Sequence, residues 1–104
     1  SMLAQAHELK QVLDRTTEIV AELLEAKACS IRLLDPVRDE LVIQSVHNLS
    51  KEYIGKGRVK WSTSQLDQDA LGPEGYSYVA DMRTDERVIW RDEAGREGLV
   101  SMLL

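Results

Sequence analysis

The sequence predicts an α+β domain: an antiparallel sheet with helices on both faces. Two observations predict it. The segment 29–50 reads as strand, turn, strand, and the segment 2–27 reads as one long helix with an unusually wide apolar stripe. In the hairpin, Ile31, Leu33 and Leu34 alternate with Ser30 and Arg32. Asp35-Pro36 then breaks the run, because proline presets the turn dihedral and aspartate can bond its own backbone. Leu41-Val42-Ile43 resumes the strand. Leu34 and Val42 are apolar on the nominally polar face, which is the mixed pattern of a sheet covered on both sides.

The helix is justified by spacing. Leu9, Leu13, Thr16, Val20 and Leu23 recur at intervals of four and three, and Val12 and Ile19 widen the stripe. Met2, Leu9, Thr16 and Leu23 also repeat every seven residues, as do Ala6, Leu13 and Val20, which is a coiled-coil-like seam. One reading lays this helix on the hairpin. The other has it pair with its own copy as well.

After the hairpin, Asn48 suits a left-handed corner and Ser50 suits the cap of a short turn through Tyr53. Gly55-Lys56-Gly57 is a link, and 58–61 is a short strand candidate. Lys51, Lys56, Arg58 and Lys60 make this the basic part of an acidic chain. Lysine on an edge strand guards against mispairing, and the same charges could form an anion-binding wall. Ser64 with Asp67 resembles a capping box, and Gly72-Pro73 ends the helix that follows. A strand is expected over 76–80, a charged loop over 81–87, a short helix over 92–97 closed by Gly98, and an apolar strand over 99–104. An apolar strand belongs inside a covered sheet. Residues 99–104 are therefore expected to be substantially buried, covered either by more chain that follows them or by an element swapped in from a neighbouring copy.

The 104 residues suffice for one domain, taken as 1–104 with an N-terminal helix over 2–27 and a sheet core over 28–104. With 43% hydrophobic and 30% charged residues the chain should fold, and a net charge of −5 argues against a nucleic-acid partner. No apolar run approaches the roughly 20 residues of a membrane span. The lone Cys29 points to a reducing, cytoplasmic home, and Ser1-Met2 reads as a cloning remnant before an interior start.

The order of elements, with several short motifs, resembles a GAF domain, the small-molecule-sensing module of signalling proteins. The motifs are Ala28 to Asp35, Glu40 to Ile43, His47-Asn48-Leu49-Ser50 with Tyr53, Tyr78 to Arg87, and Glu97 to Leu103. The resemblance implies a profilin-like, PAS-related architecture that here lacks the family's last strand and closing helix. It implies a non-catalytic sensor that binds a small molecule and couples it to an attached output domain, as in two-component systems. The alternative is a dimerisation module with a degenerate, ligand-free pocket.

Family chemistries that need a phenylalanine, a late cysteine or several cysteines find none of these, so no cofactor is singled out. His7 and His47 offer no four-ligand zinc pattern. The expected pocket walls are Arg58, Trp61 and Tyr78, a cation with aromatic faces suited to a small anionic or planar molecule. Asp81, Asp85 and Arg87 are expected to clamp the charged loop structurally rather than catalyse. A homodimer through the N-terminal helix completes the expected partners.

Overall fold

A computed structural model describes residues 1–104. In chain order it contains α1 (Met2–Leu23), β1 (Cys29–Asp35), β2 (Glu40–His47), α2 (Lys51–Ile54), a 3-10 turn at Trp61–Thr63, α3 (Gln65–Ala70), β3 (Tyr78–Val79), α4 (Arg91–Glu97) and β4 (Met102–Leu103). The chain divides into two compact units. One is Ser1–Leu33 with Val42–Leu49, and the other is Leu34–Leu41 with Ser50–Leu104.

In the first unit, α1 and the base of the hairpin come together through small and polar residues. Thr17, Ala21 and Ser45 are all buried. The Ser45 hydroxyl donates to Asp14 Oδ1 at 2.6 Å, and the Thr17 hydroxyl donates to the Asp14 carbonyl at 2.9 Å. Each hydroxyl has one proton, so the 3.3 Å approach of the two oxygens is the secondary contact. Leu13 and Val20 are half-buried on this side of the helix. Leu23 and Thr16, expected in the same stripe, are exposed.

The end of α1 falls at Leu23 rather than residue 27. The Ala26 N–H donates to the Ala21 carbonyl at 2.9 Å and the Glu25 N–H to the Glu22 carbonyl at 3.2 Å. That pair of bonds is a Schellman motif, with Glu25 at φ 51 in the left-handed place usually given to glycine. At the other end of the hairpin base, Asn48 adopts φ 60 and its side-chain amide donates to the Lys27 carbonyl at 2.7 Å.

In the second unit, the hairpin tip is turned by Asp35, whose carboxylate accepts from the Val37 and Arg38 N–H groups at 3.1 Å. The segment 58–61 forms an isolated antiparallel bridge, Glu40 to Lys60, and then a 3-10 turn, not a strand. Gly57 is required where it stands, because a Cβ there would meet the Trp90 ring at 2.4 Å. The core of this unit is Leu66, Val79, Met82, Val88 and Ala94, with Tyr53, Leu99, Met102 and Leu104 packed against it.

Ser50 and Ser64 cap α2 and α3 by accepting from Tyr53 N–H and Asp67 N–H. Glu97 grips the start of α2, accepting from the Ser50 N–H at 2.7 Å and its hydroxyl at 2.6 Å. Gly98, at φ 77, closes α4 in a second Schellman motif through Leu99 N–H to Ala94 O at 3.0 Å.

The α+β class holds, and both sheets are antiparallel pairs, β1 with β2 and β3 with β4. A single sheet with helices on both faces does not form. β3 is two residues long because the Asp81 carboxylate captures the Arg83 N–H at 2.9 Å and starts a turn. Its partner β4 follows a left-handed glycine and is equally short. The outer face of this pair, carrying Tyr78 opposite Leu103, is open. Residues 99–104 are accordingly buried on one face alone: Leu99, Met102 and Leu104 face the core, whereas Val100 and Leu103 are exposed.

Candidate functional site

Alternation along the extended segment 76–79, which ends in β3, puts Tyr76 and Tyr78 outward while Ser77 and Val79 turn inward. Ser77 fixes this orientation, its hydroxyl donating to the Leu66 carbonyl at 2.6 Å. The two tyrosines line an open cleft of about 650 Å3 together with Gln68, Asp69, Pro73, Glu74 and Arg87. All of these residues belong to the second unit.

The charged loop consists of two copies of one device. Asp81 accepts from the Arg83 backbone N–H and then from Nε and the terminal guanidinium nitrogen at 3.0 and 2.9 Å. Asp85 does the same for Arg87, at 3.0, 3.0 and 2.7 Å. The two differ in what else they hold. Arg83 is 76% exposed, whereas Arg87 is 34% exposed and also donates to the Tyr78 carbonyl at 2.8 Å, with Asp69 at 3.7 Å. The second device therefore ties the loop to β3. The side-chain hydrogen bonds from Arg87, followed by its backbone N–H, hold the Asp85 carboxyl down to about 2. Arg83 lowers Asp81 in the same way.

Of the three expected pocket walls, Tyr78 lines the cleft and the other two do not. The Arg58 guanidinium pairs with Glu40 at 2.8 Å, and Trp61 opens the 3-10 turn, its carbonyl accepting from Gln68 Nε2 at 2.8 Å. The three were grouped by position in the chain, and the pairing of Arg58 with the hairpin tip draws it elsewhere. The cleft residues not anticipated are Gln68, Asp69, Glu74 and Tyr76. The i, i+2 spacing of Tyr76 and Tyr78 was the available signal.

The cleft has a mixed surface. Its cation is already shared among Asp85, Asp69 and a carbonyl, while the Tyr76 and Tyr78 rings and the Glu74 carboxylate are exposed. Such a surface can stack a planar group and bond its polar edge. No group of three or more His, Cys, Asp or Glu side chains is placed to hold a metal ion. Burial raises the Cys29 thiol above its ordinary value. No helix is long and apolar enough to cross a membrane. A scan against protein-family models and searches of curated proteins and solved structures found no match to this chain.

Proposed function

We propose that this chain is a non-catalytic sensory domain of a signalling protein, GAF-like in its order of motifs. It takes a small planar molecule in the Tyr76–Tyr78 cleft and passes occupancy to an attached output domain, in a cytoplasmic setting. The observation that carries this reading is the pair of faces on α1. One side of the helix holds buried Thr17 and Ala21, and another exposes Leu9, Val12 and Leu23. A helix that belongs to its own domain and also offers an apolar face can transmit a change in packing to something else.

The test is a thermal-shift screen of small planar molecules against the chain and its Tyr78→Ala variant. A molecule that binds only the native state at about 100 times its Kd adds about 2.7 kcal/mol of stability. A ligand that raises the wild-type midpoint and fails to raise that of Tyr78→Ala supports the reading. A screen in which no molecule moves either midpoint counts against it.

A second reading has its own observation. Arg87, the cation in the cleft, already commits Nε and one terminal nitrogen to Asp85 and the Tyr78 carbonyl. That favours a dimerisation module whose pocket takes no ligand, with the same α1 face as its interface. Here no ligand shifts the midpoint, yet the chain still associates.

A further inference from the structure

We propose that two copies of the chain pair through α1 as a parallel, in-register two-helix seam. The inference rests on the association of α1 proposed above and adds the residues, the partner and the orientation. The seam is built from positions three and four apart: Met2, Gln5, Leu9, Val12, Thr16, Ile19 and Leu23. Their side chains are exposed, at 86% for Met2, 59% for Leu9, 61% for Val12, 37% for Ile19 and 77% for Leu23. This face is distinct from the one that carries Thr17 and Ala21, which lies about a third of a turn away around the helix.

Burying Thr16 in the seam leaves its hydroxyl satisfied, and a parallel pair sets Gln5 beside its own copy, whose amide both donates and accepts. The Thr16 hydroxyl already donates to the Val12 carbonyl at 2.7 Å. The exposed apolar side chains present roughly 600 Å2 per copy, so a pair covers roughly 1,200 Å2, the lower bound for a specific interface. The number of helices is limited to two because Leu13 and Val20, flanking the seam, are already half-buried within their own unit.

Charge selects the direction. The other flank carries Glu8, Arg15 and Glu22. An antiparallel pair that seats Leu23 sets Arg15 against its own copy and Glu8 against Glu22 of the second copy. Like charges so placed are destabilising. Sliding the antiparallel pair by one heptad relieves those contacts but leaves either Leu23 or both Met2 and Leu9 beyond the end of the partner helix. The parallel pair seats the whole seam and sets these charges against the Leu13 and Val20 flank, where no like charge waits.

The experiment is disulfide trapping in the full 104-residue chain carrying Cys29→Ser. Val12→Cys and Ile19→Cys, each alone, should form a disulfide-linked pair on mild oxidation at micromolar concentration. Gln11→Cys and Glu18→Cys, on the far side of the helix, should not. Adding Leu9→Glu to Val12→Cys should weaken association about 100-fold, which is about 2.7 kcal/mol, and leave the melting curve in place because Leu9 is exposed.

Two other results would overturn the proposal, and they are distinguishable. If Val12→Cys and Thr16→Cys link to each other when mixed but not to themselves, the pair is antiparallel and association through α1 survives. If no variant links and the chain sediments as a monomer, association through α1 falls as well.

Discussion

Asp85 and Arg87 stand two residues apart, and their pairing sets how the second unit responds to acid. The Asp85 carboxyl lies at about 2 in the fold, against about 3.9 in an unfolded chain. As pH falls, the unfolded state takes up the proton first. The stability from this pair is thus complete above about pH 4 and lost as pH falls toward 2. Denaturation midpoints of wild type and Asp85→Asn should differ at neutral pH and converge at about pH 2. Arg87→Ala should lower the midpoint more than Arg91→Ala, since Arg87 donates to both Asp85 and the Tyr78 carbonyl while Arg91 donates to the Asp85 carbonyl alone. Equal midpoints would show that the tie to β3 carries no stability. In the buried cluster, Met82→Ala should cost about 2–5 kcal/mol, whereas exposed Leu71→Ala should stay within about 0.5 kcal/mol.

The two Schellman ends show which parts of the elements were legible in the sequence. Gly98 marks the end of α4 because glycine is the residue that enters the left-handed region without cost. Glu25 holds the same conformation at the end of α1 with nothing in its identity to say so, and the sequence pattern carries the helix on to residue 27. Glu25→Gly should therefore stabilise the chain by about 1 kcal/mol, measured by chemical denaturation. The caps at Ser50 and Ser64 were legible for the same reason as Gly98: the bond lies within three residues. Ser64→Ala should cost about 0.5–2 kcal/mol. What local pattern could not show were the long-range partners. Thr17 is buried through Ser45, 28 residues away, and a hydroxyl leaves no trace in a hydrophobic period. Arg58 is taken by Glu40, 18 residues away, so it does not join Tyr78 at the cleft.

At the scale of the whole molecule, the stripe on α1 carries more apolar surface than its own unit covers. That excess was visible as a heptad repeat, and the structure divides it into a half-buried flank, Leu13 and Val20, and an exposed face. Exposed apolar surface of this extent and regularity is what the proposed association through α1 rests on. A sensory domain and a bare dimerisation module share this feature and differ only in whether the Tyr76–Tyr78 cleft is ever filled. The most direct test is therefore the solution mass of the 104-residue chain, measured by sedimentation equilibrium over a wide concentration range beside Leu9→Glu. The chain has a mass of 11.8 kDa. The account predicts that wild type approaches twice that mass with rising concentration, while Leu9→Glu keeps its fold and stays at the single-chain value. A wild-type chain that holds the single-chain mass throughout would contradict it.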